Sequence, residues 1–496
     1  MNLRWTRLLT LWLTALLLAA AGPVALNATA TEDLPPQEVL VADWDWISSV
    51  QGALAGTSVA GIGDVNNDGY PDVLVGAPLY STAIERSGAA FVFYGSIPTL
   101  GSGPSWMVSG EVKGKLFGQV VASAGDVNCD GYLDVIVAAP LFNNNNGKVY
   151  VYHGSSSGLR TTPAWTYTGL ARDIYLGSSV AGVGNVNGDK HLGKSCDDVL
   201  VGVKFYSEGQ EREGAAFLFY GSPDGLSLEP DWIGQVNKSG AQFGYSVAPA
   251  GDLNQDGYAD LIIGAPFLRD TLTAEGAAFV YYGSATGPGD IPNWAATGGQ
   301  AYAKLGWSVS GIGDVNYDGH LDIAAGAPGW KDTLEAVGGV FVYYGTSGGL
   351  SPIAGWVHAG EKTVYTGYGE SVAGAGDLNG DGIDDLVIGA KDYSSKNIET
   401  NGAIYVHHGG PGGLAEHAGW RAEGKKSDTD FGACVAGAGD IDLDGFNDII
   451  VGAPEYKDAS ENKRGGAFAY HGFLQEVVDG EIQPRKHYLF LPITTH

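Results

Sequence analysis

Short acidic loops recur along this chain, and their residue types are those that bind hard cations. The first, DVNNDGYPD, runs from Asp64 to Asp72 and has oxygen-bearing side chains at positions 1, 3, 5 and 9, with glycine at position 6. Calcium takes about six to eight oxygen ligands, needs a glycine for the sharp turn and uses a backbone carbonyl at position 7. Magnesium demands a tighter octahedral cage, so this spacing favours calcium.

Six copies of the loop keep this ligand pattern at one period, and they predict about six Ca²⁺ sites. A single copy could be an ordinary turn in which Asp and Asn satisfy the backbone themselves, but six in register point to metal. Position 7 is included for its carbonyl oxygen. The predicted metal ligands are Asp64, Asn66, Asp68, Tyr70 and Asp72; Asp126, Asn128, Asp130, Tyr132 and Asp134; Asp252, Asn254, Asp256, Tyr258 and Asp260; Asp314, Asn316, Asp318, His320 and Asp322; Asp377, Asn379, Asp381, Ile383 and Asp385; and Asp440, Asp442, Asp444, Phe446 and Asp448.

One further copy, the third along the chain, is degenerate. It keeps Asn185, Asn187 and Asp189, but Lys190 replaces the glycine and five residues are inserted before Asp198. The lysine charge competes with a cation and the turn is broken. We therefore expect an empty or weak site there.

The elements that position these loops repeat with them. Each of the seven copies begins with a Gly that is usually preceded by an aromatic residue, followed by an apolar strand and the acidic loop. A second apolar strand then mostly ends in Gly-Ala-Pro. A third strand is rich in small and aromatic residues, and a stretch with one Trp usually follows it. Four-stranded units that cannot bury their own faces form a propeller or a solenoid. We predict an all-β, seven-bladed β-propeller with four-stranded blades.

The tryptophan positions predict how the ring closes. Trp44 precedes the first repeat at the same offset as the later tryptophans precede theirs, whereas the seventh repeat, ending at Gly472, has no Trp after it. The N-terminal strand is therefore expected to complete the last blade, which removes two exposed strand edges.

The composition limits the partners. The formal charge of −29 disfavours nucleic acid and anionic membranes, because a phosphate backbone would be repelled. The three cysteines, Cys129, Cys196 and Cys434, have no C-x-x-C spacing, so they predict neither a zinc site nor a disulfide framework.

Residues 1–30 resemble a signal peptide, with Arg4 and Arg7 before an apolar run and Ala28-Thr29-Ala30 as a cleavage site. A membrane anchor is the alternative, but the run is shorter than the ~20 residues of a spanning helix. We expect a secreted or cell-surface protein without a transmembrane segment in the mature chain. The propeller would cover 31–472, and a C-terminal tail, 473–496, would pack on the ring or serve in surface attachment.

The order of an aromatic-Gly pair, GDVNxDGxxD and GAP resembles the FG-GAP repeat of the integrin α-subunit N-terminal propeller and its bacterial relatives. The resemblance covers the chain from about Trp44 to Gly472. It implies an extracellular propeller with calcium loops on one face and ligand contacts on the opposite face. The chain shows neither an inserted adhesion domain nor leg domains, which weakens the expectation of an integrin-type heterodimer.

A ring of aromatic residues follows GAP in six repeats. These residues, which could stack sugars, grip a protein loop or pack under their own loops, are Tyr80, Phe142, Tyr206, Trp330, Tyr393 and Tyr456. The favoured function is a monomeric, non-enzymatic adhesion or ligand-binding module for an extracellular protein or glycan. No catalytic residue is predicted. The alternatives are a polysaccharide-active enzyme and a structural cell-surface component.

Overall fold

The computed structural model describes residues 40–332, 335–360, 366–395 and 398–473, and the backbone of the strands Gln475–Val478 and Glu481–Pro484. The predicted signal peptide lies outside the described residues, as does most of the predicted tail. Within the described part, no helix has the length and apolar character needed to cross a bilayer.

Seven four-stranded antiparallel sheets form the seven blades. The first strands are Ser58–Gly63, Val120–Gly125, Leu176–Gly184, Ser246–Gly251, Ser308–Gly313, Tyr368–Gly376 and Cys434–Gly439. The second strands are Asp72–Ala77, Asp134–Ala139, Asp198–Val203, Asp260–Ala265, Asp322–Ala327, Asp385–Ala390 and Asp448–Ala453. The third strands are Ala89–Phe93, Lys148–Tyr152, Ala215–Phe219, Ala277–Tyr281, Gly339–Tyr343, Ala403–His407 and Gly466–Tyr470.

The fourth strands each begin with a tryptophan. They are Trp106–Ser109, Trp165–Thr168, Trp232–Gly234, Trp294–Thr297, Trp356–Ala359 and Trp420–Glu423 in blades 1 to 6, and Trp44–Ile47 in blade 7. Three smaller features lie between strands of the blades: a helical turn at Phe142–Asn145, a hairpin of Lys190–His191 with Lys194–Ser195, and a hairpin of Lys331–Asp332 with Glu335–Ala336.

The N-terminal strand closes the ring, as the tryptophan spacing predicts. Trp44 pairs with Ala469 and Ile47 with Gly466, so the first strand of the described chain becomes the outermost strand of blade 7. The first strands of neighbouring blades contact one another around the whole ring, including that of blade 7 with that of blade 1. The seven-bladed fold is therefore confirmed, and an open solenoid is excluded.

The Phe-Gly and Gly-Ala-Pro motifs meet where neighbouring blades touch. Gly76, in the second strand of blade 1, faces the carbonyl oxygen of Gly118 from blade 2, and a Cβ at Gly76 would collide with that oxygen. Gly118 also has a φ of 80°, which other residues rarely adopt. Both glycines are therefore needed for the close approach of two blades.

The apolar core lies between facing blades. One cluster joins Leu74 and Val92 of blade 1 to Val135 and Tyr150 of blade 2, and equivalent clusters follow around the ring. The second strands are buried along their whole length, which explains their continuous apolar sequence. In addition, the indole of Trp106 donates to the carbonyl of Arg160 in the next blade, and other fourth-strand tryptophans repeat this bond.

Candidate metal centres

The acidic loops connect the first strand to the second strand in each blade, so all seven lie on one face of the propeller. In the first loop the Asp64 carboxylate accepts hydrogen bonds from the backbone N–H groups of Asp68 and Gly69 at 3.1 and 2.7 Å. The backbone N–H of Tyr70 donates to Asp68. These bonds curl the loop around its own side-chain oxygens.

The same bonds recur in the loops of blades 2, 4, 5, 6 and 7. In each of these loops the residue at position 1 accepts from the backbone N–H groups at positions 5 and 6, and the residue at position 7 donates its N–H to position 5. The six loops predicted to bind metal therefore share one geometry. The position-7 residues have their N–H engaged, and metal ligation by their carbonyl oxygens stays a prediction.

The aspartate at position 9 is the buried part of each loop. Asp72 has no exposed surface, and its two oxygens accept from the N–H of Val65 in the loop and of Gly95 beyond the third strand, at 3.0 and 2.9 Å. Equivalent pairs of bonds, between 2.7 and 3.1 Å, occur in the other six blades. One carboxylate thus joins three strands of its blade.

These buried carboxylates lack a strong cationic partner. Burial raises the pKa of Asp72, Asp260 and Asp322 to about 7 and of Asp134 to about 8. Among the described residues, no Lys or Arg forms an ion pair with these four aspartates. Because a buried charge without a counter-charge is costly, a cation in each loop would stabilise the ionised form.

In blades 6 and 7 a histidine contacts a carboxylate of the acidic loop. The imidazole of His408 lies 3.0 Å from the carboxylate of Asp385, and that of His471 lies 3.1 Å from Asp442. Burial opposes protonation of His471, but the hydrogen bond to Asp442 and the nearby carboxylates raise its pKa to about 9. In blade 7, a protonated histidine therefore provides part of the missing positive charge.

The seventh loop brings three carboxylates together. Carboxylate oxygens of Asp440, Asp442 and Asp444 lie within 4.8 Å of one another, a grouping that could hold a metal ion. The other regular loops have Asn at position 3, where blade 7 has Asp442. Charge and spacing thus fit a divalent cation in this loop.

The third loop has a different internal geometry. The side-chain amide of Asn185 donates to the carbonyl of Asp189 and to the hydroxyl of Ser195, so its donors point into the loop. Asp198 keeps the two backbone bonds of position 9. The insertion forms the hairpin of Lys190–His191 with Lys194–Ser195. A weak or empty site at Asn185, Asn187, Asp189 and Asp198 stays a prediction.

This hairpin covers the second acidic loop, and the sequence analysis did not predict that contact. A disulfide joins Cys129, within the second loop, to Cys196, with the Cα atoms 4.8 Å apart. The Lys194 ammonium donates to the carbonyl of Asp130, and Asp197 accepts from the N–H of Asp126. Both half-cystines lie in acidic loops of consecutive repeats, and this placement could have indicated the disulfide from the sequence. Cys434 is a free cysteine.

Five segments match the FG-GAP repeat, namely residues 55–93, 117–152, 243–281, 368–407 and 431–469. They coincide with blades 1, 2, 4, 6 and 7. This β-propeller contains FG-GAP repeats. In blades 3 and 5, which the match leaves out, Leu176 and Leu305 stand where the motif has its aromatic residue.

Relatives of this FG-GAP propeller include integrin alpha subunits. The chain is 34% identical over 249 residues to integrin alpha-5 of Xenopus laevis, covering 47% of this chain and 22% of the relative. It is 30% identical over 263 residues to integrin alpha-4 of Xenopus laevis, covering 52% and 23%. It is 27% identical over 397 residues to the phosphatidylinositol-glycan-specific phospholipase D of Homo sapiens, covering 70% and 45%. The chain thus spans less than half the length of these relatives.

The six aromatic residues after GAP lie on the face opposite the acidic loops, and five of them pack on a third-strand ring of their own blade. The ring pairs are Tyr80 with Phe91, Tyr206 with Phe217, Trp330 with Phe341, Tyr393 with Tyr405, and Tyr456 with Phe468. Phe142 packs against the core cluster of blades 1 and 2. These contacts give each ring a packing role, and a role in ligand binding stays a prediction.

Proposed function

We propose that this FG-GAP propeller is a calcium-binding extracellular module for cell adhesion or ligand binding, with a protein or glycan as its ligand. The observation that carries the proposal is the buried aspartate at position 9, which recurs with the same two backbone bonds and needs a counter-charge. Each such aspartate lies beside three further side chains with oxygen atoms. Six of the seven loops also share the bonds from the N–H groups of positions 5 and 6 to position 1, and these loops make about six sites.

Calcium fits these loops better than magnesium does. The donors are carboxylates, amide oxygens and a backbone carbonyl on a short flexible turn, which suits the variable coordination of calcium. Magnesium keeps several waters and prefers a rigid octahedron. We infer that Asp64, Asn66, Asp68 and Asp72 hold the ion in blade 1 together with the Tyr70 carbonyl, and that equivalent residues do so in five other blades.

The role of the ion in this proposal is structural. Position 9 already joins the acidic loop to the second and third strands, so a bound ion would rigidify three of the four strands of a blade. Calcium in extracellular fluid reaches concentrations that saturate even weak sites. Occupancy is therefore expected to be permanent, with ligand contacts on the opposite face.

An extracytoplasmic location agrees with the disulfide between Cys129 and Cys196. Disulfides persist in oxidising compartments and are rare in the cytosol. Together with the predicted signal peptide at 1–30, this bond supports a secreted or cell-surface protein.

The proposal places the chain among binding modules, as a monomer, and not among enzymes. A polysaccharide hydrolase typically uses two carboxylates in unlike environments, which hold their pKa values apart. The conspicuous carboxylates of this chain instead repeat one environment several times. A polysaccharide-active enzyme would reveal itself by product release from a panel of polysaccharides, and lipid cleavage would indicate a phospholipase-type activity.

Calorimetric titration of the metal-free protein tests the proposal. We expect about six calcium ions per chain, with much weaker binding of magnesium. The variant Asp68→Asn should lose one site, whereas Asp189→Asn, at the same position of the degenerate third loop, should lose none. If the chain takes up no calcium, or if both variants behave alike, the proposal is wrong.

Ligand binding requires a separate test. Immobilised extracellular proteins and a glycan array should be probed with the calcium-loaded chain and again with chelator present. Calcium-dependent binding to at least one class supports the binding module. Absence of any binding would favour a structural surface component.

A further inference from the structure

The face opposite the acidic loops carries a group of aromatic residues that the motif does not explain. Around the ring, the residue after the Gly of the Phe-Gly pair donates its backbone N–H to the residue three positions earlier in every blade, so these seven positions are structurally equivalent. They are Thr57, Gln119, Ser178, Tyr245, Trp307, Glu370 and Ala433. Aromatic residues occur only in blades 4 and 5. Closure of the ring therefore does not require them.

Five rings from three consecutive blades form what we call the aromatic strip: Tyr175 and Phe205 of blade 3, Tyr245 and Phe267 of blade 4, and Trp307 of blade 5. The centroids of Tyr175 and Phe205 are 5.1 Å apart, and those of Tyr245 and Trp307 are 4.8 Å apart. Phe267 lies 6.1 Å from both Tyr245 and Trp307. All five side chains are partly exposed.

Two lysines are part of this surface. The Lys204 ammonium lies 5.5 Å from the ring centroids of both Phe205 and Tyr245, and therefore joins blade 3 to blade 4. The Lys304 ammonium lies 5.0 Å from the Trp307 ring centre. Neither lysine forms an ion pair with a carboxylate among the described residues, and burial lowers the pKa of Lys204. Their positive charge is available to a ligand.

Charged groups mark the ends of the strip. Arg172 and Arg212 line a cleft beside Tyr175 and Phe205, together with Asp173 and Glu211. In blade 6, Lys391 is paired with Glu370 and Asp392, at 3.3 and 3.1 Å. A negative ligand would thus meet Lys204 and Lys304 over the rings of the strip, with carboxylates at both of its ends.

We propose that the aromatic strip binds an acidic glycan, a saccharide chain with uronate carboxylate or sulfate groups. The C–H face of a pyranose ring packs on the electron-rich face of an aromatic side chain, and a row of such rings suits a linear chain. The anionic groups pair with Lys204 and Lys304. A cationic ligand is disfavoured, because these lysines already lie over the rings.

The net charge of the chain is compatible with this ligand. The acidic loops lie on the opposite face, and bound calcium would neutralise much of their charge. The remaining long-range repulsion is screened beyond about 8 Å at physiological ionic strength. Single-stranded nucleic acid also stacks on aromatic residues, but every base step carries a phosphate, so the overall charge of −29 penalises it more strongly than a glycan with fewer charges.

The inference rests on the proposed binding function and is tested on the calcium-loaded full chain. The probe is a hexasaccharide that alternates glucuronate with N-acetylglucosamine, and its carboxyl-reduced form is the neutral control. A sulfated hexasaccharide distinguishes sulfate from carboxylate recognition. We expect at least one acidic probe to bind about tenfold or more tightly than the neutral probe, a difference of about 1.4 kcal/mol, with the preference falling at high salt.

Variants locate the binding surface. Trp307→Ala should weaken binding of the acidic probe by about tenfold or more, whereas Lys204→Gln and Lys304→Gln should mainly remove the preference for the acidic over the neutral probe. Gln119→Ala, at the position in blade 2 equivalent to Trp307, is the matched control and should change nothing. Calcium stoichiometry and melting temperature of each variant show whether it is folded.

The outcomes separate this inference from the proposed function. Equal binding of acidic and neutral probes, unchanged binding by Trp307→Ala, no binding of any acidic probe, or tighter binding of a single-stranded oligonucleotide would each overturn the glycan inference. If calcium stoichiometry is nevertheless about six, the calcium-binding module stands. Failure of calcium uptake would refute the proposed function itself.

Discussion

The two faces of this propeller are built from the same seven repeats, yet they differ in how much they vary. On the face with the acidic loops, six blades share aspartates at positions 1, 5 and 9 with the same hydrogen bonds, as in Asp64 with Gly69 and Asp72 with Gly95. On the opposite face, equivalent positions hold residues as different as Thr57, Trp307 and Glu370. The repeated face has one chemistry, whereas the varied face has a different one in each blade.

This difference separates two tasks. A cation site is small and can be completed within one blade, so it can be repeated. A surface that recognises one ligand must differ from the rest of the ring. Identical blades would present the same surface at every position and could not form such a site. We therefore assign stabilisation to the acidic loops and recognition to the opposite face, and the following four predictions test that division.

Removal of calcium should have the largest effect. Each saturated site stabilises the folded state by about 2.7 kcal/mol when calcium is at about one hundred times its dissociation constant. With several sites, chelation should lower the melting temperature by more than about 10 °C. Differential scanning calorimetry with and without chelator measures this. The variant Trp307→Ala on the opposite face should change the melting temperature far less, and comparable losses would contradict the division of tasks.

The aromatic residues after GAP should matter for stability more than those of the aromatic strip. Trp330 is 7% exposed and packs on Phe341, so Trp330→Ala should cost about 3–5 kcal/mol of unfolding free energy. Trp307→Ala should cost about 1 kcal/mol, because Trp307 is partly exposed. Denaturant titration compares the two. Should Trp330→Ala abolish ligand binding while leaving stability unchanged, the GAP-loop ring would be the ligand surface instead.

The disulfide should distinguish the second acidic loop from the other five. Replacing both Cys129 and Cys196 with Ala should lower the free energy of unfolding by about 2–4 kcal/mol and weaken one calcium site, since the bond anchors the hairpin that covers that loop. Denaturant unfolding and calcium titration measure the two effects. Cys434→Ala, at the free cysteine, is the control and should leave all calcium sites unchanged. Equal weakening of every site would show that the hairpin has no local role.

The pH dependence should be the smallest effect and is confined to the acidic loops. Burial raises the pKa of Asp72, Asp260 and Asp322 to about 7, above the ordinary value of 3.8. In the metal-free protein, the protonated aspartates stabilise the folded state. This stabilisation is fully present at pH values below the ordinary pKa and is lost as the pH rises through about 7. Bound calcium keeps the carboxylates ionised, so binding at pH 6 should release up to about one proton per site.

Calorimetry in two buffers of different ionisation enthalpy measures these protons. At pH 9 the release from Asp72, Asp260 and Asp322 should disappear, because these aspartates are then ionised before calcium binds. Proton release that is the same at both values of pH would show that the buried aspartates are not the source.

Much of the fold could be predicted because every repeat shows the same order of strands and loops. The offset of Trp44 from Gly56 matches that of the later tryptophans, and this single comparison placed the N-terminal strand on blade 7, where Trp44 pairs with Ala469. The carboxylate at position 9 was recognisable as a site residue from its spacing. The sequence did not reveal that this carboxylate is buried or that it accepts a second bond from Gly95, because Gly95 lies 23 positions away.

The partners of the third-loop hairpin could not be predicted either. Cys129 and Cys196 are 67 residues apart, and only the packing of blade 3 beside blade 2 brings them together. The aromatic strip was also missed. Its members occupy different repeat positions, as with Tyr175 before the glycine and Tyr245 after it, so comparison of one aligned position at a time does not reveal them.

The sequence by itself determined the number of blades, the closing strand and the ligand types of the acidic loops, because each depends on contacts within a repeat or on its period. The tertiary structure alone decided which side chains of neighbouring blades meet. That arrangement joined Cys129 to Cys196, set Lys204 between the rings of blades 3 and 4, and buried the six GAP-loop aromatics to different depths. The physical reason is that the packing of each blade on the next places residues about sixty positions apart in van der Waals contact, and no local pattern specifies which side chains then meet.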